Sequence, residues 1–211
     1  MIRLLGRQTS GNVQKVIFLL EELGVEYARE DYGGEFGKLQ TPEYLALNPH
    51  GKVPTLIEDK TVIWESNTIL RYLAATRNPE LNGSSPAQAA DVERWMDWLL
   101  ASVNPHYMTA FQESKKPEQE RSSATFASAV SQLDGLLSLA EAHMGDKSYF
   151  ALNRLTLADI ALGPILKRCL DFPGERTPVP SLESWVATLE RRDAFQVMLG
   201  NKASVLDKAS R

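Results

Sequence analysis

Every strand-like segment of this chain lies before Trp64, and beyond it the apolar residues recur only at helical spacing. That division restricts the fold to a small sheet-bearing first half followed by a helical second half. Asn78 to Ser85 (Asn, Pro, Glu, Leu, Asn, Gly, Ser, Ser) is turn-forming throughout, with Pro86 just beyond, and marks the boundary. The expected organisation is an α/β domain over residues 1–79 and an all-helical domain over 86–211.

Within the first half, Ile2 to Leu5 is a short apolar run ended by Gly6, which suits a buried strand. A polar turn over Gly6 to Gly11 leads into a helix whose stripe is Val13, Val16, Ile17, Leu20 and Leu23, stopped by Gly24. Tyr27 to Tyr32 supplies a second strand, so the opening is a β-α-β unit with parallel strands and a right-handed crossover. Thr41-Pro42-Glu43 reads as a capped helix start with proline at the first helical position. The order through Thr76 is therefore β-α-β-α-β-β-α, with Ile69, Leu70 and Leu73 of the last helix facing inward.

The stretch with most chemical content runs from Asn48 to Ser66. Two apolar runs joined by Glu58-Asp59-Lys60-Thr61 read as a hairpin, and its first strand opens at Val53-Pro54, the step best suited to a cis peptide. Proline holds Val53 extended, with its N–H and C=O on the sheet edge, where an extended peptide can pair. Glu65-Ser66 then places an acid and a hydroxyl at a helix start, whose free N–H groups favour a carboxylate. A small peptide carrying an amine and a carboxylate suits that combination.

Charge and cysteine usage narrow the function classes. With 23 Lys+Arg against 27 Asp+Glu the net charge is −4, and no basic run tracks a nucleic-acid backbone. Cys169 is the single cysteine, which excludes internal disulfides and multi-cysteine metal sites and fits a reducing cytosol. No signal-peptide pattern opens the sequence and no apolar stretch reaches the ~18 residues that span a bilayer. The expectation is a cytoplasmic protein that binds neither membrane, nucleic acid nor metal.

The second half carries two stripes, Val92, Met96, Leu99 and Val103, then Phe126, Val130, Leu133, Leu137 and Ala140, as in helices packed on helices. Leu155-Thr156-Leu157-Ala158-Asp159-Ile160 is a capping box with a hydrophobic staple, a folding signal without chemistry of its own. Pro164 falls inside the same helix, and Cys169 reads as a small core residue.

In order and spacing, Asn48-Pro49…Val53-Pro54-Thr55-Leu56, Glu65-Ser66-Asn67-Thr68-Ile69 and Leu155-Thr156-Leu157-Ala158-Asp159 resemble the cytosolic glutathione transferases over nearly the whole chain. The resemblance implies a thioredoxin-like first domain that binds glutathione as co-substrate, a helical second domain that supplies much of the electrophile pocket, and a homodimer. By position, Val53 and Pro54 would meet the cysteinyl part of glutathione, Glu65 and Ser66 the γ-glutamyl end, and Lys52 and His50 the glycyl end. For His50 a solvent-exposed loop position is the competing reading.

The chemistry implied is activation of a thiol. At an ordinary pKa of about 8.5 a thiol is only a few per cent thiolate at neutral pH, and lowering it by about two units takes ~2.7 kcal/mol of preferential stabilisation. Thr9, Ser10 and Asn12 are the competing donors. Ser10 stands where serine-type classes (theta, delta) carry their activating hydroxyl, but Gly11-Asn12-Val13-Gln14-Lys15 departs from the proline, cysteine and arginine usual there. That departure resembles bacterial theta-like and nu-like members, in which an asparagine can take part in binding sulfur. Ser10 and Asn12 are also both preferred helix caps. A cysteine-dependent mechanism fails, because no cysteine lies in the first domain. Trp98, Tyr107 and Phe111 are candidates to line the pocket for a small hydrophobic electrophile. Two alternatives stay open: glutathione-dependent reduction of disulfides or peroxides, and a binding or scaffold protein that keeps the fold without turnover.

Overall fold

A computed structural model describes residues 1–208. The chain divides into two compact units, Met1–Asn82 together with the segment from Leu189, and Gly83–Thr188.

In the first unit, β1 (Ile2–Leu5) is followed by α1 (Gly11–Glu22) and β2 (Tyr27–Glu30), which pairs in parallel with β1. After α2 (Pro42–Leu47), β3 (Thr55–Glu58) and β4 (Thr61–Trp64) form the expected hairpin, with β3 antiparallel to β1, and α3 (Ser66–Arg77) follows. The sheet order is β2-β1-β3-β4. Leu4 faces Leu56 across the central pair, and both are fully buried. Val13, Val16, Ile17 and Leu20 of α1 and Ile69, Leu70 and Leu73 of α3 are buried as the periodicity requires, whereas Leu23, the expected end of the α1 stripe, is the C-cap of the helix and only half-buried; α1 packs against α3. Thr41 caps α2, its hydroxyl oxygen accepting from the Tyr44 amide at 3.3 Å, and Gly24 stops α1 with φ 65°.

The segment from Leu189 joins this unit, whereas the sequence pattern groups it with the helices of residues 86–211. Its helix α9 (Asp193–Leu199) lies along α1, with Phe195 edge-on to Phe18 at 5.1 Å. Gln14 and Gln8 donate to the carbonyls of Met198 and Val197 at 3.2 and 2.9 Å, and Arg192 grips Glu22 through two 2.6 Å bonds. Past α9 the chain reaches the outer edge of β2. There the Tyr27 amide donates to the Leu206 carbonyl at 3.2 Å and the Arg29 amide to Asp207 at 3.0 Å. The other edge strand, β4, leaves Val62 and Trp64 37% and 39% exposed.

The second unit is helical throughout its described elements. α4 (Pro86–Trp98) runs through a π-helical turn, Leu99–Val103, into α5 (Asn104–Lys115), and α6 (Ser123–Met144), α7 (Leu157–Leu170) and α8 (Pro180–Glu190) follow. Val92, Met96, Leu99 and Val103 are buried as expected. On α6 the buried face is Ala129, Leu133, Leu137, Ala140 and Met144, one position round from the predicted start of the stripe. Phe126 leaves that face to meet Phe172 edge-on at 5.9 Å. The capping box opens α7: the Thr156 amide and hydroxyl both donate to Asp159 Oδ2 at 3.0 Å. Its Oδ1 accepts from the Phe150 amide at 2.9 Å and the Trp185 indole at 3.0 Å. Burial pushes the Asp159 carboxyl up to about 6 against the pull of these donors. Cys169 is buried and its thiol is pushed up to about 12, so it is a core residue without thiolate character.

Candidate functional site

Three segments of the first unit converge at the end of β1. Gly6 makes this possible: a Cβ there would stand 2.4 Å from Val13 and 3.3 Å from Val53. Only a residue without a side chain lets the strand end, the start of α1 and the proline loop come this close.

From Gly6 the chain turns through Arg7, whose carbonyl accepts from the Ser10 amide at 3.1 Å. Ser10 is the N-cap of α1 with extended backbone (φ −79°, ψ 123°), yet its side chain makes no capping bond. Its half-buried hydroxyl is therefore uncommitted, although serine is among the strongest cap formers. Asn12, also half-buried, follows in the first turn, and its Oδ1 accepts from the Ser66 hydroxyl at 3.3 Å, a long bond. With the carbonyl turned to Ser66, the Asn12 amide N–H groups are the donors left to the site. Thr9 is exposed in the turn.

The Val53-Pro54 peptide is cis, as expected, and β3 begins one residue later at Thr55. Pro54 itself is buried, which confines it to shaping the loop; the accessible part of the step is half-buried Val53. Neither the N–H nor the C=O of Val53 pairs with any described residue. Beneath that edge lies a closed polar cluster. The Tyr44 hydroxyl donates to the Lys52 carbonyl at 2.6 Å and lies 3.0 Å from the Thr55 hydroxyl. Asn48 Nδ2 donates to the same two groups at 2.7 and 3.1 Å, and Asn48 Oδ1 accepts the His50 amide at 3.0 Å. Tyr44, Asn48 and Thr55 are buried, so the loop is pinned from the core side while the side chains of His50 and Lys52 are exposed.

Glu65 precedes α3 with φ 68° and ψ 114°, a left-handed conformation that costs a residue with a Cβ about 1 kcal/mol or more. Its carboxylate is exposed and makes no cap bond, whereas Ser66 and Asn67 just after it are buried. Backbone strain maintained at an exposed acid marks a position where the surroundings, not local preference, set the geometry.

Two residues of this unit, Lys15 and Tyr44, do not stand out in the sequence. Lys15 on α1 is 1% exposed, and burial pushes its ammonium down to about 7 while the Glu65 carboxylate pulls it upward. It stands one turn beyond Asn12 on the same helix face, an i,i+3 relation that could have flagged it. The role of Asn48 does not stand out either.

In the second unit the aromatics expected to line a pocket are differently placed. Tyr107 is buried in a ring cluster with Phe111 and Phe172 at 5.8 and 6.2 Å, so it is core in its own unit. Phe111 is half-buried beneath Arg168 and Lys115, and Trp98 packs edge-on against Trp95 at 5.4 Å. A cavity of about 350 Å³ in this unit is lined instead by Phe126, Val130, Asp134 and Pro173 among others. Among the described residues no group of His, Cys, Asp and Glu is placed to hold a metal, and no helix is long and apolar enough to cross a membrane.

Comparison with known proteins identifies this architecture. The family models for the glutathione S-transferase N-terminal and C-terminal domains match residues 2–75 and 103–193. Glutathione S-transferase GstB of Escherichia coli K12 is 36% identical over 200 residues, 93% of this chain and 96% of that protein. Glutathione S-transferase 3 of Zea mays is 30% identical over 203 residues, 92% of this chain and 91% of its own. Among solved structures, the theta class glutathione S-transferase of Xanthomonas axonopodis pv. citri with glutathione bound superposes with a TM-score of 0.90. It shares 39% identity and the match covers 97% of this chain and 98% of that one.

Proposed function

Because this chain belongs to the glutathione S-transferase family, we propose that its first unit binds glutathione as co-substrate and holds the thiol as thiolate for attack on a small hydrophobic electrophile. The observation that carries this reading is the set of polar groups left uncommitted around Gly6: the Ser10 hydroxyl, the Asn12 amide and the Val53 backbone. Their neighbours are bonded internally, so these are the groups available to a ligand.

Glutathione lies with its cysteinyl backbone paired to Val53, in the manner of an added strand. Its γ-glutamyl ammonium meets Glu65, and the γ-glutamyl carboxylate meets the first backbone amides of α3, that of Ser66 among them. Its glycyl carboxylate points toward Lys52, with His50 beside it. The thiol then faces the start of α1. Ser10 donates its hydroxyl hydrogen to sulfur, and Asn12 Nδ2 is the second donor. Thr9 flanks the site from the exposed side of the turn. Stabilised in this way, the thiol gives up its proton to solvent. The sulfur lone pair forms a carbon–sulfur bond as the leaving group departs with its electron pair.

The decisive measurement is the thiol pKa of bound glutathione, followed by its ultraviolet thiolate absorbance. A value about two units below that of free glutathione supports the mechanism; a value unchanged from free glutathione removes it. The assembly is a homodimer in a cytoplasmic setting on this reading, supported by the family and by the exposed Val62 and Trp64 on β4. Sedimentation equilibrium of the wild type against Trp64→Glu tests it, with a monomeric wild type as the contrary result.

A further inference from the structure

The turn that delivers Ser10 also carries a cation. Arg7 is half-buried, and no hydrogen bond or ion pair to a described residue holds its guanidinium. Other half-buried arginines of this unit are matched: Arg29 by Asp31 and by the Gly6 carbonyl at 3.2 Å, Arg192 by Glu22. An acid does follow close by in the chain, Glu35 just after Gly34, but it is exposed and makes no ion pair with Arg7. A guanidinium is permanently charged and presents its donors as a planar fork that matches a carboxylate.

The position of this side chain is set by the loops around it. The Arg7 amide donates to the Tyr32 carbonyl at 3.0 Å, and its carbonyl accepts the Ser10 amide, a turn that keeps the two Cα atoms within about 7 Å. From there the side chain runs across two glycines. A Cβ at Gly34 would stand 3.0 Å from Arg7 Cδ and Nε, and one at Gly33 would stand 3.1 Å from Nη1. That same point over Gly33 is 3.3 Å from Leu39 Cδ1 and 3.6 Å from Val53 Cγ1. The guanidinium thus adjoins the side chain of the residue whose backbone edge is open, with two apolar groups beside it. Both glycines hold positive φ, 81° and 60°, so the bed under Arg7 is one that residues with a Cβ would strain and fill.

We propose that Arg7 is a specificity-determining residue of this site, and that the electrophile it selects carries a carboxylate on an apolar body. The inference rests on the reading that this unit binds glutathione. On that reading both carboxylates of glutathione have partners, Lys52 and the α3 amides, and Arg7 is a further cation on the side of the turn where sulfur lies. The guanidinium pairs with the carboxylate of the second substrate through two N–H···O bonds, while Val53 and Leu39 meet its apolar body. The sulfur lone pair then forms the carbon–sulfur bond and the leaving group departs with its electron pair, with nothing oxidised or reduced. Glutathione's own glycyl carboxylate is the other source of the same chemistry at Arg7, and the test separates the two.

The probes are 4-chloro-3-nitrobenzoate and 4-chloro-3-nitrobenzamide, which share a leaving group and differ in the carboxylate. Each kcat/KM is divided by the rate constant of the uncatalysed reaction with glutathione. The wild type is expected to favour the benzoate by about tenfold or more on this scale. Arg7→Met should lower the benzoate-to-benzamide ratio about ten- to hundredfold, and Arg7→Lys should retain part of the preference. Thermal melts confirm that both variants are folded. A wild type that favours the benzamide, or turns over neither compound, overturns the inference. So does an unchanged ratio in Arg7→Met: with a raised KM for glutathione it assigns Arg7 to the glycyl carboxylate, and with a raised thiol pKa to the sulfur. Calorimetry with glutathione alone is the separate check, because a folded wild type that does not bind it overturns the underlying reading instead.

Discussion

Two of the helix starts that carry an acid and a hydroxyl, those of α7 and α3, have been finished in opposite ways. At the start of α7, Asp159 receives four bonds, from the amide and hydroxyl of Thr156, the Phe150 amide and the Trp185 indole. Both of its oxygens are engaged, and the carboxyl is buried. At the start of α3, Glu65 is exposed, in a left-handed conformation and without a cap bond. Polar groups closed on one another hold a fold together; polar groups left open at similar expense have their partner outside the chain.

The contrast breaks first at Asp159 if it is wrong. Asp159→Ala leaves two amides, an indole N–H and a hydroxyl facing a void, and the expected loss is about 3–5 kcal/mol in urea denaturation. Asp159→Asn should recover part of it, because Oδ1 keeps its two donors while the new amide opposes the Thr156 N–H.

Lys15→Met should act in the other direction and raise stability by about 2–4 kcal/mol at pH 6. The sign follows from Lys15 lying at about 7 in the fold against 10.5 for an ordinary lysine. Between those values the unfolded chain binds more protons, so the wild type gains stability as pH rises. The advantage of the variant should accordingly shrink from pH 6 toward pH 10 in thermal melts.

Ser10→Ala sharpens the open side of the comparison. Bound glutathione should lose one to two units of thiol acidification, about ten- to hundredfold in kcat/KM at neutral pH, with Asn12→Ala giving the smaller loss. Unfolding free energy should stay within about 0.5 kcal/mol of wild type, because the Ser10 hydroxyl caps nothing. A stability loss near 1 kcal/mol with unchanged thiol pKa would make Ser10 another structural cap. Tyr44→Phe is the mildest test. It removes one of two donors on the Lys52 carbonyl, Asn48 remaining, and should cost about 1 kcal/mol and raise KM for glutathione a few-fold.

What the sequence disclosed follows the same division. Closed features are local and periodic, so they can be read: the Thr156–Asp159 box, the Thr41 cap, the hairpin and the α3 stripe appear at the residues expected, and the α1 stripe does so up to Leu20. Of the site, Ser10, Asn12, Val53, Glu65 and Ser66 were named from position, and the structure gathers them in one unit. Their states were not readable. Nothing in the residue types says that the Ser10 hydroxyl would be idle, that Glu65 would take a positive φ, or that Pro54 would be buried. A lysine between Gln14 and Val16 looks like solvated surface in the sequence, yet α1 is buried all round from Val13 to Leu20. Phe126 was given to the α6 core since its spacing fits, yet Phe172, 46 positions later in the chain, draws it away. The docking of α9 on α1 depends on groups 170 or more positions apart, such as the Glu22 carboxylate with Arg192 and the Gln8 amide with the Val197 carbonyl, beyond the reach of any window of periodicity.

That docking makes the sheet-bearing half discontinuous. Residues 1–82 lack the apolar cover that Phe195 gives Phe18 and the backbone partner that Leu206 gives the rim of β2. A fragment cut at the apparent boundary would present a bare helix flank and an unpaired strand, both invitations to aggregate. On the ribosome, the half made first must wait until the helical unit and the segment from Leu189 have been made before its surface is sealed.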